Sequence, residues 1–344
     1  MTEFDDVHEV QHAREEARAA LQESLSEIKR VIVGQDAMLE RVLVSLLCGG
    51  HVLLEGVPGL AKTLTLKTLA AVLGGSFGRI QFTPDLVPAD LVGTRVWHPD
   101  TARFDTELGP VFHNFVLADE INRAPAKVQS ALLEVMQEEQ VTIGGTTFRV
   151  PVPFIVMATQ NPIESEGTYP LPEAQVDRFL MKIVVGYPTR GEEAAVVGRS
   201  LLPPVSVREC LTLADLERHR QAAETVSADR GIIGYAVALA DATRHPAEHG
   251  LHGLTPLIEF GASPRGPIGL VQAGRALALL RGRGHVEAQD IHDLAADVLR
   301  HRIVLSYDAL SDGVTVDQLL DQIIAAVPAP DGRSLLRAEA AGGQ

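Results

Sequence analysis

Two cysteines are all that the 344-residue chain contains. Cys48 and Cys210 lie far apart and outside any C-x-x-C or Cys/His spacing. Neither a disulfide framework nor a structural zinc site is therefore expected, and a reducing, cytoplasmic compartment fits. An apolar leader is missing too: Met1 to Arg18 is acidic and polar, which argues against a secretory signal. The most apolar stretch, Val42 to Leu54, is too short for a bilayer and is broken by Gly49, Gly50 and His51, so no membrane insertion is expected. Positive charge is scarce. Lys and Arg number 30 against 45 Asp and Glu, a net charge of −15. That balance argues against a surface that grips nucleic acid or anionic lipid, while leaving room for a small local anion site. Low complexity is excluded as well, since the 30 glycines and 20 prolines make up about 15% of the chain, below the roughly 25–30% that marks such segments.

What is present is enough for a sizeable core: 46% hydrophobic residues and a mean hydropathy of +0.10, over a length that suits two domains of about 100–200 residues each. Residues 7–30 read as a charged helix with Ala17, Leu21, Leu25 and Ile28 at helical spacing. A loop, Val33-Gly34-Gln35-Asp36, follows, and Asp36 is expected to cap a second helix reaching Leu47. Apolar runs of strand length then alternate with helical patterns: strands at 51–54, 78–82, 115–118, 154–159 and 180–185, helices at 63–73 and 128–138. This alternation predicts a largely parallel α/β sheet. Two segments interrupt it, the first Pro- and Gly-punctuated. Residues 83–110 hold β-like pieces near 93–97 and 102–104. Residues 140–150 carry Gly144-Gly145 between β-prone runs, a hairpin signal because both glycines tolerate positive φ. After Tyr187-Pro188 only helical patterns remain, at 190–200, 212–224, 228–243, 268–281 and 287–302. The expected organisation is a core over 1–188, a helical domain over 189–327 and a flexible tail over 328–344.

The sharpest motif is Gly56-Val57-Pro58-Gly59-Leu60-Ala61-Lys62-Thr63, between an apolar strand and a helix. Its glycines let the backbone wrap phosphates, and successive N–H groups plus the helix N-terminus supply positive potential. Lys62 would reach the β- and γ-phosphates of ATP, and the Thr63 hydroxyl would ligate Mg²⁺. Ala61 stands where the strict pattern has glycine. The run Phe115 to Ala118 ends in Asp119 and Glu120. Carboxyl ends of parallel strands face the ligand crevice, so Asp119 would hold Mg²⁺ through its water shell and Glu120 would deprotonate the attacking water. Adjacent strand residues face opposite ways, so Glu120 must lie in the loop that follows. A third strand ends in Gln160-Asn161-Pro162, which offers the Asn161 amide to the γ-phosphate or the water.

Together these residues resemble the MoxR family of AAA+ ATPases over about residues 5–325. The resemblance rests on Val33-Gly34-Gln35, the phosphate loop, Ala118-Asp119-Glu120-Ile121-Asn122-Arg123-Ala124-Pro125, Ala158-Thr159-Gln160-Asn161-Pro162, Glu173-Ala174-Gln175-Val176-Asp177-Arg178-Phe179 and Gly261-Ala262-Ser263-Pro264-Arg265-Gly266. In that family Ala61 is the usual form. The resemblance implies an α/β fold, a P-loop AAA+ αβα sandwich with a C-terminal all-α lid, in a ring that is usually hexameric. It implies a nucleotide-binding stretch of Gly56, Val57, Pro58, Gly59, Leu60, Ala61, Lys62, Thr63 and Leu64 (Walker A), with Asp119 and Glu120 as Walker B. It further implies Asn161 as sensor 1, Arg178 as an arginine finger for the neighbour's γ-phosphate, Arg265 as the sensor 2 arginine of the lid and Gln35 near the adenine. Residues 83–110 resemble the helix-2 insert of this branch, and 140–150 its pre-sensor-1 hairpin.

The implied activity is ATP hydrolysis by a chaperone-like motor that remodels, matures or activates a partner complex, with a separate protein carrying a von Willebrand factor A domain. A metal-chelatase motor subunit and a nucleic-acid translocase are the alternatives. The translocase fits poorly, because the hairpin tip Ile143-Gly144-Gly145-Thr146-Thr147 is not basic. His245, His249 and His252, with Glu248 between them, have metal-ligand spacing, but Pro246 and Gly250 break the helix that would align them, so a solvated loop is expected. Arg281, Arg283 and Arg300-His301-Arg302 read as solvated helix ends.

Overall fold

The computed structural model describes residues 3–162 and 167–330. In chain order, α1 (Glu3–Lys29) and α2 (Asp36–Cys48) precede β1 (Val52–Glu55), α3 (Lys62–Val72) and β2 (Phe77–Gln81). A short α4 (Pro88–Val92) leads into the hairpin β3 (Gly93–His98) and β4 (Arg103–Leu108). Then come β5 (Phe115–Asp119), α5 (Ala126–Glu138), a second hairpin of β6 (Gln140–Ile143) and β7 (Thr146–Arg149), β8 (Ile155–Gln160), α6 (Glu173–Val176) and β9 (Met181–Val184). The remainder is α7 (Arg190–Ser200), α8 (Leu213–Glu224), α9 (Arg230–Arg244), β10 (Ile258–Phe260), α10 (Arg265–Leu280), α11 (Ala288–Leu299), β11 (Val304–Leu305), α12 (Tyr307–Ser311) and α13 (Val316–Ala326).

The chain forms two compact units. One is Ala20–Phe179 with Ile183–Glu217; the other holds the residues from Arg218 onward, Leu180–Lys182 and the part of α1 up to Ala19. In the first unit a five-stranded sheet has the order β2-β5-β8-β1-β9. Gln81 lies opposite Asp119, Ala118 opposite Ala158, and Leu54 opposite Thr159, all in parallel pairs. That register brings the carboxyl ends of β2, β5, β8 and β1 to one edge, where ligands of open α/β sheets bind. The interior strands β5, β8 and β1 carry buried apolar runs, Phe115–Ala118, Ile155–Ala158 and Val52–Leu54. Against them α5 lays Val128, Leu132, Leu133, Val135 and Met136. Each such side chain, fully buried, contributes about 1.5–3 kcal/mol of transfer free energy, so the edge is built on a stiff support.

The hairpin expected at Gly144-Gly145 is present, and the β-like pieces within 83–110 pair as a second one, β3 with β4. Gly144 and Gly145 have φ of 57° and 85°, the paired left-handed conformation of a tight two-residue turn. In the other hairpin Trp97 packs on Phe104 at 4.9 Å between ring centroids, and Arg95 stacks over Phe104 at 4.7 Å. One capping expectation fails: the N-cap of α2 is Gln35, left-handed with φ 57° and without a side-chain cap, while Asp36 is already helical and pairs with Lys29 at 2.9 Å.

In the second unit α9, α10, α11 and α13 pack together, with the apolar stripe Ile291, Leu294, Ala295, Val298 and Leu299 of α11 buried. Three expectations change here. Arg281 and Arg283 are not solvated ends: both donate to the fully buried carboxylate of Asp290, at 2.5–2.9 Å, because a buried charge must be paired. Arg300 pairs with Asp297 and Asp317, and buried Arg302 donates to the carbonyls of Leu180 and Val298. A small antiparallel pair, β10 with β11, breaks the all-helical pattern. The histidine segment forms 3-10 turns, 246–249 and 252–257, and the imidazoles of His245 and His249 each bond a different oxygen of Asp241 at 3.0 Å. Those two bonds, that to His249 first, hold the Asp241 carboxyl below the usual carboxylate range. Among the described residues no group of three or more His, Cys, Asp and Glu is placed to hold a metal ion, and no helix is long and apolar enough to cross a membrane. The expected tail lies outside the described residues beyond 330.

Candidate active site

Between β1 and α3 the chain turns through residues 56–61. Gly59 sits at φ 87° and Ala61 at φ 56°, two left-handed residues that fold the backbone back on itself. Gly56 has no room for a side chain, since a Cβ there would lie 2.7 Å from the Val185 carbonyl oxygen. Gly56 and Val57 thus lead from β1 into the seven residues Pro58 to Leu64, which form one wall of a cleft of about 430 Å³. No side chain caps α3, so the unpaired N–H groups of its first turn are left for a ligand. The Lys62 ammonium donates to the Gly56 carbonyl at 2.6 Å. Burial draws its pKa below the ordinary lysine value, while Asp119, Glu120 and Glu55 push back upward.

The opposite wall comes from the carboxyl ends of three neighbouring strands. β5 ends at Asp119, and Glu120 follows at φ 57° in the loop, as the alternation of strand side chains required. One hydroxyl locks the pair: Thr159 at the end of β8 donates to Asp119 Oδ1 at 2.7 Å and accepts the Glu120 N–H at 2.9 Å. From β2, Arg79 donates to Asp119 Oδ2 at 2.7 Å and to Gln81 Oε1 at 2.9 Å. Gln81 in turn donates its amide to Glu120 Oε2 at 2.9 Å, and the Arg123 guanidinium lies 3.2 Å from that oxygen. The loop is held from below by buried Gln129 on α5, whose amide donates to the carbonyls of Ile121, Ala124 and Tyr169. Asn161, 6% exposed, completes the wall.

Of the residues expected at a site, Pro58 to Leu64, Asp119, Glu120 and Asn161 line this single cleft. Three do not. Gln35 donates to the Gly186 carbonyl at 3.2 Å. Arg178 donates to the Leu133 carbonyl on α5 at 2.7 Å. Arg265 opens α10 in the other unit, its N–H held by the Ser263 hydroxyl at 3.2 Å. Sequence reasoning missed Arg79, Gln81 and Thr159. The first two alternate with buried Ile80, a polar face at a strand end, but only the strand order reveals that this face adjoins Asp119 and Glu120.

A loop with its lysine, a strand ending in Asp-Glu and a polar third strand, all on one edge of a parallel sheet, define a P-loop nucleotide site. Residues 51–181 match the model of the "ATPase family associated with various cellular activities (AAA)", and residues 254–323 match that of the AAA lid domain. The chain is 54% identical over 310 residues to Chaperone MoxR1 of Mycobacterium tuberculosis, covering 90% of this chain and 82% of that protein. It is 34% identical to Protein MoxR of Paracoccus denitrificans, covering 93% and 97%. A crystal structure from Cytophaga hutchinsonii, described there as a candidate ATPase, superposes with a TM-score of 0.90 at 44% identity, covering 95% of this chain and 99% of that one. The chain belongs to the MoxR family of AAA+ ATPases. Its fold is the α/β P-loop AAA+ fold with a C-terminal helical lid.

Proposed function

We propose that the cleft binds ATP and hydrolyses it by in-line attack of a water that Glu120 deprotonates. The observation that carries this reading is the convergence of uncapped helix amides, Lys62 and two strand-end carboxylates within one open cleft. In this reading the amides of residues 59–64 wrap the phosphates, and Lys62 exchanges the Gly56 carbonyl for the β- and γ-phosphate oxygens. Glu120 accepts the proton of the water, and the Asn161 amide orients the water or the γ-phosphate. Thr63 and Asp119 supply hydroxyl and carboxylate oxygens, hard donors that suit Mg²⁺. Bound there, Mg²⁺ would neutralise charge on the phosphate oxygens. Gln35 is assigned to the adenine side of the nucleotide, Arg265 to the γ-phosphate from the lid.

Arg178 is assigned to the cleft of a neighbouring copy. This is supported by its absence from the lining of its own chain's cleft, since it donates instead to the Leu133 carbonyl of α5, and it implies a ring, which we take as hexameric. We assign nucleotide binding to residues 1–188 and the lid to 189–327. The ring would act in the cytoplasm as a chaperone-like motor on a protein complex, with a von Willebrand factor A domain protein as its separate partner. Nucleic acid is not the expected client, given the net charge of −15 and the uncharged Gly144-Gly145 turn. The test is Glu120→Gln. This variant should bind ATP as the parent does and lose about 10²- to 10⁴-fold in turnover, the range that a general base supplies. Normal turnover would remove Glu120 as the base, and failure of the parent protein to bind ATP would end the reading altogether.

A further inference from the structure

The acidic wall holds Arg79, a cation bonded to Asp119 that the proposed chemistry does not use. Asp119, with its side chain only 15% exposed, has both oxygens engaged: Oδ1 accepts from Thr159 and Oδ2 from Arg79, each at 2.7 Å. Arg79 is the more exposed partner. It is 49% exposed, it projects from strand β2, and it lines the cleft together with the phosphate loop. A charge-assisted bond of this length satisfies and neutralises the carboxylate. A divalent cation brought to the same oxygen would meet an adjacent guanidinium of like sign, in a cleft wall where screening is weaker than in bulk water.

We infer that Arg79 is a placeholder for the divalent cation: in the nucleotide-free protein its guanidinium holds the Asp119 oxygen that Mg²⁺ would use, and the cation is admitted only together with a nucleotide. The inference rests on the reading of this cleft as a Mg²⁺–nucleotide site. Phosphate oxygens are what make the exchange balanced. A guanidinium displaced from a carboxylate finds an equivalent planar acceptor in a phosphate, so Asp119 passes from Arg79 to the metal while Arg79 passes from Asp119 to the nucleotide. Without a nucleotide the displaced guanidinium would keep only the neutral Gln81 oxygen and water, a poorer exchange for a carboxylate, and the carboxylate stays with Arg79. Binding of metal and of nucleotide then become mutually dependent, and linkage requires the dependence to be equal in both directions. A plain strand-to-strand ion pair predicts something different. It would add at most about 1 kcal/mol of stability, as exposed pairs do, and leave metal binding alone.

The experiment uses the full chain, with Mn²⁺ as an electron-paramagnetic-resonance probe and ADP as the nucleotide. Bound Mn²⁺ is measured without ADP, and ADP affinity is measured with Mg²⁺ and with chelator. Nucleotide-free parent protein should bind Mn²⁺ weakly, and Arg79→Met should bind it roughly tenfold tighter, the worth of one charge-assisted hydrogen bond. The factor by which Mg²⁺ raises ADP affinity should fall by a similar amount in Arg79→Met and return towards the parent value in Arg79→Lys. Equal Mn²⁺ affinity in parent and Arg79→Met, or an unchanged Mg²⁺ factor, overturns the inference. So does tight Mn²⁺ binding by the nucleotide-free parent, a result that needs no variant to fold. Absence of any ADP binding by the folded parent overturns the nucleotide reading itself, which separates the two failures.

Discussion

Ala61 occupies a left-handed conformation, φ 56° and ψ 16°, at the head of α3. A Cβ in that region costs about 1–2 kcal/mol relative to glycine, and part of that is returned by alanine's lower freedom in the unfolded chain. Ala61→Gly should therefore keep nucleotide binding and raise the unfolding free energy by about 0.5–1 kcal/mol, read as a higher urea midpoint. A lower midpoint would mean that the alanine methyl contributes packing worth more than the backbone strain. Glu120 carries the same strain at φ 57°, and there the conformation has a use: it turns the carboxylate out of the strand alternation and beside Asp119. Lys62 was legible from its glycine-rich motif, and Asp119, Glu120 and Asn161 from their places within three residues of the end of an apolar run. Thr159, Arg79 and Gln81 were not, because each reaches Asp119 or Glu120 across about 40 positions of sequence.

At the scale of elements, His51 joins three of them. Its Nδ1 accepts the Val156 N–H of β8 at 3.0 Å, so Nε2 carries the proton and donates to the Met136 carbonyl of α5 at 3.2 Å. Charging the ring would set an N–H against an N–H. Burial lowers its pKa from 6.5 to about 4, with the Met136 bond opposing. Because the folded value lies below the unfolded one, the stability from neutral His51 is fully present above pH 6.5. It drains as pH falls to about 4, by about 3 kcal/mol in all. Urea midpoints taken between pH 7 and 4 should fall more steeply for the parent than for His51→Gln. Parallel pH profiles would place the ring's charging elsewhere. The same scale explains the lid corrections. Arg281, Arg283 and Asp290 looked like ordinary surface charges in a helical pattern. The packing of α11 takes Asp290 completely out of water, and that burial demands both arginines.

At the scale of the whole molecule the proposal turns on a site shared between copies. Lys62→Ala removes the acceptor side and Arg178→Ala the donor side, so each alone should be nearly inactive; an arginine finger is worth roughly 10³- to 10⁵-fold. Mixed in equal amounts in a randomly assembled closed ring, about one site in four pairs an intact Lys62 with a neighbour's intact Arg178. ATPase activity of the mixture should recover towards that fraction. Flat, inactive mixtures across all ratios would place Arg178 outside the neighbour's site.

By itself the sequence determined the family, the alternation of strands and helices, the Gly144-Gly145 hairpin, the phosphate loop and the polar residues at the ends of two apolar strands. These are local: they depend on short apolar runs, glycines that accept positive φ and a motif read along one stretch of chain. Only the tertiary structure decided that β2 lies next to β5, and hence that Arg79 and Gln81 hold Asp119 and Glu120. It likewise decided that Thr159 bridges the acidic pair and that Asp290 is buried. The physical reason is common to all three: strand order and burial are set by how distant segments cover one another's apolar faces, and no window of sequence contains both partners.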